Sequence, residues 1–474
     1  MNAAMNSMRR FVVVAAAVCS LTATSVFAAS AVKTPNFEKV KLGNGATLLL
    51  MERHDVPLIA FNAVVRGGAL TDPEDRLGTA TLLAGLLEKG AGARDANAFA
   101  EAVASVGGSI ETGTSTESIS VSGSFLARDQ KLMVELLADV LQRPRLEEAQ
   151  FEALRDRYIE FIRAAKDSDR SSLTSIYGAA SLFGAHPYGR PVGGSEASLA
   201  AIKHSDVQRY YQDHVGADRV IIAVAGDFKS AQLKSLLSRA FSNWRKAGQP
   251  MPSVPKPTEV STRRVLLIDA PDAVQSYFWV GNASVAKRDP RRAPLDIVNT
   301  LFGGRFTSML NTELRIKSGL SYGASSRFDR MADGGSWEFG SFTRTEKTVE
   351  AIDLAFATLD KLHAGTIDDA QLESAKSYVL GQYPLGLETA SQWAYQLATL
   401  EFYGLERSYI DNYGTALSGV QLDDAKRIVN EVIPASQRLV LVVMGKADAI
   451  RDDLRKYGPL TEVKLSDPEF QPKQ

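Results

Sequence analysis

"RVIIAVAGDF", Arg219 to Phe228, is an apolar, β-branched run that stops at a glycine, and a helix-like segment, "KSAQLKSLLSRAF", follows it. The same order returns near the far end of the chain as "RLVLVVMGKADAIRDDLRKY", Arg438 to Tyr457, where Gly445 stands 219 positions after Gly226. A short apolar run rich in β-branched residues and closed by glycine reads as a buried strand. Upstream, "LIAFNAVVRGGAL" from Leu58 and "QSYFWVGNASV" from Gln275 form a second pair of strands at nearly the same offset, each followed by an apolar helical segment. The shared order predicts duplication of a whole domain, since solenoid repeats recur every 20–50 residues or so.

Between the copies lies "WRKAGQPMPSVPKPTEVSTRR", Trp244 to Arg264, with Pro250, Pro252, Pro255 and Pro257. Four prolines so close together suit neither a helix interior nor a central strand. The expected layout is a domain over 35–249, a linker over 250–262 and a second domain over 263–460. Within the first copy, "VKLGNGATLLL" carries an Asn44-Gly45 turn between alternating residues, a hairpin signal. "GSIETGTSTESISVSGSFL" reads as another hairpin, and "DQKLMVELLADVLQRP" and "LEEAQFEALRDRYIEFIRAAKD" as amphipathic helices. Hairpins mixed with helix pairs predict an α+β fold, with helices on one face of a mainly antiparallel sheet in each of two homologous domains.

The chain has 474 residues, too many for one core, with 45% hydrophobic and 23% charged residues and a net charge of −1. Both signs are interspersed, so neither a nucleic-acid surface nor a polybasic membrane surface is expected. Residues 1–28 read as a secretory signal: Arg9 and Arg10, an apolar stretch from Phe11, then Val26-Phe27-Ala28. The apolar part is shorter than the ~20 residues that span a bilayer, so no membrane insertion is expected after cleavage. The single cysteine, Cys19, lies in this segment, leaving a mature chain without thiol chemistry. A soluble protein exported to the periplasm is expected.

Four segments together resemble the pitrilysin/insulinase family of zinc peptidases, which includes the mitochondrial processing peptidases. They are "VKLGNGATLLL", "RGGAL…RLGTATLLAGLLEKGAG", "HPYGRPVGGSEASLAAIKHSDVQRYYQDHVGADRVIIAVAGDF" and "LFGGRFTSMLNTELRIKSGLSYGASS". The resemblance implies that each chain forms half of a clam-shell. Catalytic members carry His-x-x-Glu-His on the first helix and a further glutamate ligand downstream. In this chain those positions are Thr81, Ala84, Gly85 and Phe161. Catalytic zinc needs three protein donors and a carboxylate that takes a proton from bound water, which these side chains do not supply. Of the five histidines, His54, His186, His204, His214 and His363, no two are spaced three or four apart.

Phe151, Leu154, Tyr158, Phe161 and Ile162 fall on one face of a helix, so Phe161 is expected to fill the former metal space opposite Gly85. On that reading Phe161→Glu destabilises the protein without creating zinc affinity. Neutral drift after loss of activity predicts the same residues.

In the second half the resemblance implies a role for Arg315 and Tyr322, set in "GGRF…LR…GLSYG". In the family this pair reaches a zinc site in another half of the shell. The arginine fork holds a carbonyl or carboxylate, and the phenol donates to the oxyanion of peptide hydrolysis. The competing reading pairs Arg315 with Glu313 and packs Tyr322 in the core. Gly303 and Gly304 are candidate points of close peptide approach; His186, in the rigid loop "HPYGRP", is read as structural. The expectation is a chain with no cofactor of its own. It would be the zinc-less partner of a homologous exported chain that keeps His-x-x-Glu-His and binds the zinc, and the pair would act on peptides. The alternative is a catalytically silent scaffold or peptide-binding protein; an independent hydrolase with an unrecognised nucleophile is disfavoured, since "GSFLA" and "GGSEAS" lack the Gly-x-Ser-x-Gly elbow and no Ser/His/Asp order stands out.

Overall fold

A computed structural model describes residues 32–470, so the expected signal segment and Cys19 lie outside the described residues. Two six-stranded sheets dominate it. The first contains β1 (Glu38–Lys41), β2 (Thr47–Glu52), β3 (Leu58–Arg66), β4 (Ser109–Thr114), β5 (Ser118–Leu126) and β6 (Val220–Gly226). The second contains β7 (Arg264–Asp269), β8 (Gln275–Ser284), β9 (Ala324–Arg330), β10 (Gly335–Arg344), β11 (Val440–Gly445) and β12 (Leu460–Lys464). Their orders are β1-β2-β6-β3-β5-β4 and β9-β10-β8-β11-β7-β12. Read from the hairpin edge, these are one topology twice. Both sheets are antiparallel from the hairpin edge inward and then turn parallel where the last long strand pairs, β6 on β2 and β11 on β7. The outer edge is where the halves differ: β1 joins β2 through the Asn44-Gly45 hairpin, whereas β12 arrives from the C-terminal side and runs parallel to β7.

Both repeated glycines stand where a strand end presses on the start of its antiparallel neighbour. At Gly226, with φ of 133°, a Cβ would lie 2.2 Å from the Leu58 carbonyl, so the backbone there requires glycine. At Gly445 a Cβ would instead meet a side chain, 2.5 Å from Ser276 Oγ.

The helices that matter for the site are α1 (Thr79–Leu87), α2 (Gln130–Gln142), α3 (Glu148–Ser168) and α4 (Arg170–Phe183) in the first half. In the second half they are α5 (Arg292–Phe302), α6 (Thr348–His363), α7 (Asp369–Gln382) and α8 (Ala390–Tyr403). Alternate residues of β6 enter two different cores. Ile222 and Val224 join the core with α1, α2 and α3, while Ile221, Ala223 and Ala225 pack with Trp393, Ala394 and Leu397 of α8. The second sheet mirrors this: Leu441 and Val443 face their own helices, and Val440, Val442 and Met444 pack with Leu173 and Tyr177 of α4. Each half thus lends one helix to the back of the other's sheet. Helices therefore cover both faces of each sheet, not one as the sequence suggested, and this explains why "VIIAVAG" is apolar without alternation.

Polar ties reinforce the exchange. The buried Glu117 carboxylate accepts from Tyr188 of its own half at 3.1 Å, and from Tyr403 at 3.0 Å and the Ala332 amide at 3.0 Å of the other half. The proline-rich stretch runs without helix or strand between the halves, and the His186 ring donates to the Pro255 carbonyl at 2.9 Å. Its other ring nitrogen accepts from the Tyr188 amide at 3.1 Å, so His186 is held as a structural group.

Candidate functional site

Helix α1 starts where Asp72 accepts from the Gly78 amide at 2.7 Å and the Ala80 amide at 2.8 Å, a carboxylate at the positive end of the helix. Burial outweighs these donors and pushes Asp72 up to about 7. The three positions that fall on this helix are all committed to structure. Thr81 donates to the Val192 carbonyl at 2.7 Å, Ala84 is buried, and the Ala84 carbonyl accepts from Thr112 at 2.7 Å. Glu88, at the C-terminal end of this helix, accepts from the Thr112 amide at 2.6 Å and the Thr112 hydroxyl at 2.8 Å. It closes part of the β4 edge.

The structure corrects the expected plug. Phe161 is 60% exposed and does not fill the space facing Gly85. Leu154 and Tyr158 do: a Cβ on Gly85 would sit 2.7 Å from Leu154 Cδ2 and 2.7 Å from the Tyr158 hydroxyl. Phe161 lies one turn on, with its ring centroid 6.3 Å from that of Tyr158. The predicted face of α3 is buried at Phe151 and Leu154, but it runs out into solvent at Phe161. Phe161→Glu is therefore expected to be near neutral for stability. Threonine, alanine, glycine and phenylalanine do not fit a zinc ion. Among the described residues no three His, Cys, Asp or Glu side chains cluster as a metal site requires.

The second half holds its pair together. Arg315 lies on a π-helical turn, Thr312–Lys317, the kind of bulge that recurs at functional sites. Its guanidinium carbon stands 4.3 Å over the Tyr322 ring and 4.8 Å over the Phe306 ring. Glu313 is taken by Lys317 at 2.9 Å and Lys361 at 3.7 Å, so Arg315 has no carboxylate partner among the described residues. Tyr322 is 74% exposed, which rules out the core reading. Its backbone is nonetheless fixed: Ser341 donates to the Gly323 carbonyl at 2.9 Å, and Thr343 donates to the Leu320 carbonyl at 2.6 Å. A rigid loop thus presents a solvent-facing phenol beside an unpaired cation.

Gly303 is not open to a ligand. It is buried, and a Cβ there would lie 2.5 Å from the Ser326 amide, so the glycine lets the end of α5 touch β9. Gly304 is exposed, yet a Cβ on it would meet Thr300 Cα at 2.9 Å, which again is a packing demand of the helix end. Thr81, Ala84, Gly85 and Phe161 belong to the first sheet's layer, Arg315 and Tyr322 to the second's, and no hydrogen bond, ion pair or ring contact joins the two sets among the described residues. Phe306 was missed in the sequence, because a lone aromatic in a turn carries no periodicity.

Comparison with known proteins now places the chain. The family model described as insulinase (peptidase family M16) matches residues 50–194, and the one described as the peptidase M16 inactive domain matches 201–379. Together these are more than half of the chain, which belongs to the insulinase family, M16.

Among similar proteins, an uncharacterized zinc protease of Mycobacterium leprae is 26% identical over 78% of this chain and 82% of its own length. The beta subunit of the mitochondrial-processing peptidase of Lentinula edodes is 22% identical over 88% of this chain and 92% of its own. The non-peptidase homolog YmxG of Helicobacter pylori is 23% identical over 81% and 87%. In structure, a peptidase M16 inactive domain from Pseudomonas fluorescens superposes with a TM-score of 0.80 at 21% identity, covering 86% of this chain and 98% of that one. A protease from Helicobacter pylori gives 0.80 at 20%, covering 86% and 99%. At these identities the superpositions bear on the fold alone.

Proposed function

We propose that this chain is the zinc-less subunit of a two-chain peptidase, lending Arg315 and Tyr322 to the zinc site of a homologous partner. The observation that carries this reading is the pairing of an unpartnered guanidinium with an exposed phenol on a rigid loop, in a chain whose own metal positions are Thr81, Ala84, Gly85 and Phe161. Arg315 would hold a carbonyl or carboxylate of the peptide, and Tyr322 would donate to the oxyanion that forms as the peptide carbonyl is attacked. The partner, a chain with His-x-x-Glu-His intact, would bring the zinc. Arg9, Arg10 and the following apolar stretch support export of this chain to the periplasm.

A second reading is a non-catalytic scaffold or peptide binder. It is favoured by the inactive-domain description of the matched region and by the non-peptidase relative from Helicobacter pylori. Cleavage of a mixed peptide library separates the two. The first reading expects turnover on mixing this chain with a homologous chain that bears the motif, and none from this chain alone. Turnover by the partner that is indifferent to the presence of this chain leaves the scaffold reading.

A further inference from the structure

The geometry points to Phe306 as the positioning residue for Arg315: its exposed ring, opposed by that of Tyr322, holds the guanidinium in place where a carboxylate would usually do so. This rests on the reading of Arg315 as a substrate-facing group. An arginine in a peptidase site faces a dilemma. Tied to a carboxylate it is ordered but neutralised, and left free it is charged but samples many rotamers. Ring faces resolve this, because they attract a cation through their quadrupoles without occupying its N–H donors.

Both rings are in reach of the guanidinium, at 4.3 and 4.8 Å. Phe306 is 58% exposed, so it contributes little to the core, and its presence in the turn after α5 has no packing explanation. The two rings are also held in register from beneath. The buried Asn311 side chain donates from Nδ2 to the Phe306 carbonyl at 2.8 Å, and its Oδ1 accepts from the Ala324 amide at 3.2 Å, two residues beyond Tyr322. One amide thus spans both ring-bearing turns, and the helix it belongs to leads directly into the π-turn of Arg315.

The test uses the full chain, uniformly labelled at arginine nitrogen, with the Arg315 side-chain signal assigned by its loss in Arg315→Lys. Ring currents are expected to displace that signal in the wild type. Phe306→Leu keeps an apolar side chain without a ring face and is expected to move the signal toward the position of a free arginine. Phe306→Tyr is expected to leave it in place. In peptide cleavage with the zinc-bearing partner, Phe306→Leu is expected to lower kcat/KM about tenfold, with Phe306→Tyr close to wild type. An unmoved Arg315 signal in Phe306→Leu overturns the inference. So does unchanged cleavage by Phe306→Leu in an assay where Arg315→Ala is impaired. Should Arg315→Ala itself cleave normally, the two-chain reading fails, and the position of the signal alone then decides whether Phe306 holds the arginine.

Discussion

Gly85 stands at a position where catalytic relatives carry a metal ligand, and here that position is closed by packing. Its missing side chain is occupied from across the groove by Leu154 and the Tyr158 hydroxyl, both within 2.7 Å of where a Cβ would stand. Restoring a histidine there inserts a ring into filled space, so Gly85→His is expected to cost about 1–3 kcal/mol in urea unfolding. Adding Tyr158→Ala should recover part of that loss, a non-additivity that contact predicts and distance does not. Phe161→Glu, on an exposed side chain, should change stability by no more than about 0.5 kcal/mol. Replacing ligand positions one at a time thus meets sterics at one and indifference at the other. The helical period of α3 was legible in the sequence and gave the right face. The reach of a tyrosine against that of a phenylalanine one turn away was not, because periodicity encodes direction and says nothing of how far apart two helices lie.

At the scale of elements, the exchange of α4 and α8 is the feature the sequence hid most completely. The run "VIIAVAG" signals burial on both faces, but an apolar helix face does not name the sheet it covers. Strand pairing was far easier to read: Asn44-Gly45 set one hairpin, and the twin glycines at 226 and 445 marked equivalent strand ends, where a Cβ would meet the neighbouring strand's backbone in the first half and its Ser276 side chain in the second. The exchange makes a sharp prediction. Gly178 of α4 lies on Trp279 of β8, with a Cβ placed 2.4 Å from the indole Cδ2. Gly178→Ala gains roughly 1 kcal/mol of helix propensity, yet the overlap with a buried indole is expected to outweigh it. A lowered urea midpoint would confirm that α4 is wedged against the second sheet. A raised midpoint would mean that the helix sits loosely there. The π-turn bearing Arg315 was equally invisible, since one extra residue in a helix leaves no mark in composition.

For the whole molecule, the reciprocal helices and the Glu117 network join the halves into one unit. Burial is the largest influence on Glu117 and holds its carboxyl above the ordinary 4.5, partly offset by the Ala332 amide and the Tyr403 and Tyr188 hydroxyls. The folded protein therefore keeps this proton at pH values where the unfolded chain has lost it. The contribution is intact below 4.5 and is lost as pH rises through the folded value, so Glu117 makes the fold less stable toward higher pH. Urea unfolding of the wild type and Glu117→Gln across this range should show the wild type losing ground to the variant as pH rises. A difference that does not vary with pH would contradict the burial of an ionising group at the junction.

The same rigidity bears on function, because Arg315 and Tyr322 stay on the second sheet's layer, apart from the first half's vacated positions. On the proposed reading, chemistry that uses them is completed by another chain. The most direct measurement is the rate of peptide cleavage by this chain mixed with its motif-bearing homologue, with Tyr322 intact and with Tyr322→Phe. The account predicts cleavage only in the mixture, falling by about 10²–10³ when the hydroxyl is removed. Equal rates with tyrosine and phenylalanine, or cleavage by this chain alone, would contradict it.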